Sequence, residues 1–205
     1  MRSIVTISSL FVMVFLCSGC AFTTASINVP YQPLDPPAQV AGASDISVTV
    51  TTADDRTEYR DRVGTKKNGY GMELAPITAT NNIPDTVTGA FEQELSARGF
   101  KIGPGVSLQI GLVQFYNDFK SGLFAGSADA TVAFNVKILS PDGSIIFANY
   151  YEGSGTDPNI QLASGSNAQI ALVKAFQAAV ASAVDDPNFI KGLLTAAAAK
   201  ASPTS

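Results

Sequence analysis

Residues Ala128–Leu139, ADATVAFNVKIL, decide the fold. Ala130, Val132, Phe134, Val136 and Ile138 fall on one side, with Thr131, Asn135 and Lys137 on the other. That period of two marks a strand with one dry face and one wet face. The following SPDGS, Ser140–Ser144, supplies the Pro, Asp and Gly of a tight turn, and IIFANYYEG, Ile145–Gly153, returns as the second strand of a hairpin. Upstream, VSLQIGLVQFY from Val106 puts Leu108, Ile110 and Leu112 on one face, and its phase slips near Gly111–Val113 as at a bulge. Three successive strands with a dry face need helices to cover them.

The sequence places two main helices for this purpose. The first follows Asn82, a capping residue, with Pro84 in the first turn and Val87, Phe91 and Leu95 on one stripe. Gly99 stops it, and Phe100 is positioned to touch Leu95 as in a Schellman ending. The second begins at Ser166 and Gln169, which have capping-box spacing, and runs Ile170, Val173, Phe176, Val180, Val184 along one face. A short helix with Phe189, Ile190, Leu193 and Leu194 docks after Pro187. Before all of these, DISVTVTT alternates Ile46, Val48 and Val50 with polar residues as a first strand, and YGMELAPIT holds a weak one. The glycine-rich, charged ADDRTEYRDRVGTKKNGYG between them is expected as an exposed loop. The predicted class is α+β: a mostly antiparallel sheet of about four strands with two main helices packed on one face, in the order strand, helix, three strands, helix.

The chain opens differently. Arg2 precedes an apolar run from Ile4 to Leu16, too short to span a bilayer comfortably, and this is the form of a secretory signal peptide. Both cysteines, Cys17 and Cys20, stand at its end. Ser18 and Gly19 give Cys20 the small residues that a lipoprotein signal peptidase requires, whereas bulky Phe15 and Leu16 precede Cys17. No cysteine follows Cys20, so an intramolecular disulfide is ruled out for the mature chain and the sulfur serves as a lipid anchor. The alternative is an ordinary signal peptide cut near Gly19 or Ala25. With lipidation at Cys20, residues 1–19 are the signal peptide and 20–44 a lipidated, Pro-rich tether. Residues 45–196 are then the periplasmic domain and 197–205 a flexible tail. INVPYQPL, within the tether, has packing along the domain as its alternative. Ala21, in place of an Asp after the cysteine, is the pattern of lipoproteins sent to the outer membrane, with the domain on its periplasmic face.

Composition removes most chemistries. There is no histidine, hence no usual general base, no commonest zinc ligand and no histidine-dependent triad. No Ser-x-x-Lys stands in the folded part, and no glycine cluster has phosphate-loop spacing. The net charge of -4, with scattered Lys and Arg, offers no footprint for nucleic acid. The sequence therefore predicts a non-enzyme with no catalytic residue, metal or cofactor, held to the membrane by its lipid and meeting an envelope protein.

Two stretches are candidates for that contact. The cluster DDRTEYRDR contains Asp55 and Arg56, and its plainer reading is a solvated loop of exposed ion pairs. In FKSGLFAGSA, Leu123 and Phe124 sit in a glycine-flanked connection, either tucked under the sheet or exposed as an apolar tip.

The signal peptide, the proline-containing spacer, TADDRT, FEQELSARGFKIGPG, SLQIGLVQFY and NFIKGLL together resemble the YajG-type lipoproteins of Gram-negative bacteria. The resemblance covers most of the chain after Ser44 and implies an outer-membrane lipoprotein with no catalytic residue to carry over. LxxRGF after a helix is also similar to auxiliary proteins of lipid-moving transporters and activators of cell-wall synthases. A lipid-handling accessory, with an apolar groove between helices and sheet, is thus the alternative to a protein-docking domain. A cell-wall enzyme, with convergent polar groups in a cleft, is the third.

Overall fold

The computed structural model describes residues 22–33, 35, 37–120 and 125–199. Among the described residues eight strands and three α-helices, besides a 3-10 turn at Ala43–Asp45, follow in the order β1 (Ala25–Ile27), β2 (Ser47–Asp54), β3 (Gly64–Lys67), β4 (Glu73–Ala79), α1 (Ile83–Ala97), β5 (Lys101–Ile102), β6 (Val106–Lys120), β7 (Gly126–Leu139), β8 (Ile145–Ile160), α2 (Gly165–Val184) and α3 (Pro187–Ala199). The class remains α+β, but the expected four-strand antiparallel sheet with two helices is wrong: the sheet has eight strands and is mixed.

The predicted three-strand unit forms its centre. β6, β7 and β8 pair antiparallel in sequence order, and a register shift between Leu112 and Gln114 is the bulge expected there. The error lies on the other side of β6. β2 pairs parallel to its first half, from Val48 opposite Val106 to Asp54 opposite Leu112. A helix intervenes between the two strands, and such a crossover returns the chain to the end where it began. Beyond Asp54, β3 takes over along β6 at Gly64 opposite Asn117, with β4 antiparallel to β3 and β1 parallel to β4. β1, β3 and β5 have two to four residues each, too few to display a period.

Two expected boundaries move as a result. The stretch read as an exposed loop contains β3, whose Gly64, Thr65 and Lys66 are buried. The stretch read as tether contributes β1, and fully buried Val29 and Ala43 belong to the core. Tyr31 packs edge-on against Phe176 at 5.1 Å between ring centroids, so residues 27–33 of that stretch lie along the domain. At the other end, α3 continues through Ala199, beyond residue 196 where the domain was expected to finish.

All three helices cover one face of the sheet. α1 is capped by Asn82, whose side chain accepts from the Asp85 N–H at 3.2 Å. It ends as a Schellman motif, with Phe100 N–H donating to Leu95 O at 3.1 Å and Gly99 N–H to Ser96 O at 3.0 Å, and Gly99 holding φ 98°. α2 is capped by Ser164 in place of Ser166, and Ile170, expected on its buried stripe, is exposed. Its packing side is instead small: Ala171, Ala175 and Ala179 lie on Gly153 and Gly155 of β8 so closely that a Cβ on either glycine would strike helix backbone. The remaining space is filled by fully buried Phe91, Phe115, Phe134, Phe176 and Phe189, joined edge-on or tilted across the layers.

Candidate functional site

The charged stretch after β2 folds around one guanidinium. Arg56 Nε and Nη2 donate to the two carboxylate oxygens of Asp54, both at 2.8 Å. Its Nη1 donates to Tyr59 O and its Nη2 to Arg60 O, both at 3.2 Å. Arg60 Nε donates back to Arg56 O. Arg56 is only 5% exposed. A planar fork of donors suits this task, since two carbonyls and one carboxylate are satisfied at once. The hydrogen bonds from Arg56 also hold the Asp54 carboxyl below its usual range. Arg56 is therefore an internal brace, and of the predicted pair only Asp55 faces solvent.

Next to the brace, Tyr59 adopts φ 54°, a left-handed conformation uncommon for an aromatic residue. Its ring stacks on Tyr116 with centroids 4.3 Å apart, and the Arg62 guanidinium lies 6.0 Å from the ring centroid. Tyr116 shares a 3.0 Å hydrogen bond with Thr65, and burial raises its phenol. Nothing in the sequence spacing joins Tyr59 to Tyr116; the pairing of β3 with β6 brings them together.

Asp55 lies on the sheet face opposite the helices. Its carboxylate sits over Gly111, where any side chain would collide with it. Strand register then gathers Gln109, Asn135 and Lys137 around it in a cleft of about 410 Å³. One carboxylate, one ammonium and two amides are groups that hold a polar ligand by hydrogen bonds. Sequence reasoning found Asp55 but none of its neighbours, because they come from two other strands.

Beyond the cleft lies β8, sixteen residues long and, among the described residues, paired only with β7. Tyr150 points outward and donates to Glu152 Oε2 at 2.7 Å, a bond that pushes its phenol up to about 12. Tyr151 points inward and donates to Asp186 Oδ2 at 2.6 Å, tying the strand to the α2–α3 junction.

A buried ionic cluster also escaped the sequence reading. Glu94 accepts from Arg98 Nη1 at 2.7 Å and from Tyr31 OH at 2.8 Å, and Arg98 Nη2 reaches Asp185 at 2.6 Å. The i, i+4 spacing of Glu94 and Arg98 was the available signal; their burial against the N-terminal segment was not. Cys20, Leu123 and Phe124 lie outside the described residues. Among the described residues no helix is long and apolar enough to cross a membrane.

These features define a mixed-sheet α+β domain with its helices on one face and an open polar surface on the other. The chain belongs to a family described as uncharacterized lipoprotein, whose model matches residues 33–193, and the YajG-type resemblance is borne out. A crystal structure of a Xanthomonas campestris protein, of family DUF330, has the same fold at a TM-score of 0.56 and 14% identity, covering 84% of this chain and 98% of that one. A Caulobacter crescentus structure, described as a candidate lipoprotein, is 14% identical over 70% of this chain and 93% of its own, at a TM-score of 0.38. No curated protein matches the chain.

Proposed function

We propose that this protein is a non-enzymatic lipoprotein of the outer membrane, acylated at Cys20, whose periplasmic domain binds an envelope protein along the free edge of β8. The carrying observation is that edge: among the described residues β8 pairs with β7 alone, and an unpaired row of N–H and C=O groups is a template for strand addition. Its two halves differ. From Gly153 to Ile160 the strand is guarded: α2 packs on its glycines, Lys174 Nζ donates to Thr156 O at 2.8 Å, and Pro158 lacks an N–H. From Ile145 to Glu152 α3 packs on the inner face at Phe147 and Tyr150 N–H donates to Asn149 Oδ1 at 2.9 Å, but among the described residues no lysine caps a carbonyl and no proline interrupts the strand, and Ile145 and Tyr150 are exposed.

Sorting to the outer membrane is supported by Ala21 after the lipidated cysteine. The lipid-handling alternative calls for an apolar groove between helices and sheet, and among the described residues that layer is filled by phenylalanine rings. A photoreactive residue in place of Tyr150 tests the edge in cells. We expect a discrete adduct that is absent when the probe replaces Asp142 and lost when Ala148→Lys charges the strand. Anchored, folded protein giving no adduct at position 150 would overturn the proposal.

A further inference from the structure

We propose that one end of the sheet is a membrane-docking face, resting on the bilayer to which Cys20 is attached; this rests on the acylation proposed above. The four most exposed large apolar side chains among the described residues are Tyr70 at 92%, Phe22 at 67%, Leu162 at 66% and Met72 at 60%. They are far apart in sequence, yet strand directions bring them to the same end. β6 runs toward that end, and β3, parallel to it, finishes there. The β3–β4 turn, carrying Tyr70 and Met72, is therefore at this end, as is the start of β4. β1 is parallel to β4 and so begins there, just after Phe22. β8 finishes there too, since Ile160 pairs with Gly126 at the start of β7, and Leu162 follows two residues on.

The anchor reaches the same place. Phe22 is two residues beyond Cys20, at most about 7 Å along an extended chain. No long tether intervenes, because the fold grips the chain at once: Lys66 Nζ donates to Thr23 O at 2.8 Å, and Ser26 Oγ meets Thr78 Oγ1 at 3.1 Å. The acyl chains thus hold this end, and not the opposite one, against the lipid.

The surface suits an uncharged apolar contact. Asn68 Oδ1 accepts from the N–H groups of Tyr70 and Met72, both at 3.0 Å, so the turn presents its side chains in a preformed shape. Lys67 pairs with Asp118, and Lys120 with Asp129 at 2.9 Å, which leaves little net charge to seek anionic headgroups. Apolar side chains at the headgroup boundary then supply the attraction, and the tyrosine is suited to that depth.

The test uses the full acylated chain, with single cysteines replacing Met72, Leu162 or Asp142 and labelled with a nitroxide. Asp142 lies in the β7–β8 turn at the opposite end of the sheet. The labelled proteins are reconstituted into phosphatidylcholine vesicles with and without phosphatidylglycerol, and collision with oxygen is compared with collision with a water-soluble nickel chelate. We expect the oxygen-to-nickel ratio at positions 72 and 162 to be severalfold that at 142 in both kinds of vesicle. Equal ratios at the three positions, in protein whose mass carries the acyl chains, would overturn docking and leave the anchoring intact. A raised ratio confined to vesicles with phosphatidylglycerol would overturn the apolar mechanism. A native mass without acyl chains on Cys20 would remove the anchor and this inference with it.

Discussion

Replacing Gly155 by alanine is expected to cost about 3 kcal/mol, the upper part of the range for overpacked cores. The added Cβ would lie 2.5 Å from Ala175 N and 2.7 Å from Lys174 Cβ, and closer still to Ala171 O. Two of those three atoms are helix backbone, so no side-chain rotation relieves the clash. To restore an ordinary separation of about 3.5 Å, α2 must retreat by about 1 Å, and a gap of that size forfeits a quarter to a half of each dispersion contact it widens. The contacts affected are those of Ala171, Leu172, Ala175, Phe176 and Ala179, all fully buried. At roughly 2–4 °C per kcal/mol for a chain of this size, the midpoint of thermal unfolding should fall by about 6–12 °C. Circular dichroism at 222 nm on the chain from Phe22 onward measures it. Gly89→Ala is the control: that glycine is on the exposed side of α1 with nothing within 4 Å of its Cβ position, and the change should stabilise by about 0.5–1 kcal/mol. If Gly155→Ala melted with the native protein while Gly89→Ala behaved as stated, the rigid helix-to-strand approach would be refuted.

Further outcomes follow from the buried polar groups and the anchor. Arg56→Ala should destabilise by about 1–3 kcal/mol by urea titration, because two carbonyls and Asp54 lose their donor, and Arg56→Lys should not restore it. Asp54 has a lowered carboxyl pKa in the folded state, so its stabilisation is complete above the usual value of about 3.9 and is lost as pH falls through the depressed one. Urea midpoints between pH 5 and pH 2 should therefore fall more steeply for the native protein than for Arg56→Ala. Arg98→Ala should cost about 3–5 kcal/mol by leaving Glu94 buried without its guanidinium. The combined Tyr31→Phe, Glu94→Leu, Arg98→Met variant should recover most of that loss, a result that equal instability of the two would contradict. Cys20→Ala should abolish acyl labelling and leave uncleaved precursor, while Cys17→Leu should retain both labelling and processing; labelling that persists without Cys20 would reject the assignment.

Local pattern determined the β6–β7–β8 unit, its bulge, the α1 cap and the Schellman ending, because each is governed by residues a few positions apart and repeated over enough length to show a period. What only the tertiary structure decided is everything set by pairing over distance. The parallel addition of β2 to β6 depends on where a crossover helix delivers the chain, and three-residue β1 has no periodicity to betray its place beside β4. Arg56 looked like one more charge in a polar run; its burial arises because the loop's own carbonyls close over it. Asp55 acquired its neighbours, and Phe22, Tyr70, Met72 and Leu162 their common end, from strand register and direction alone. Side chains meet in space through backbone hydrogen bonding between strands, and the identity of a residue in sequence carries no record of which strand will lie beside it.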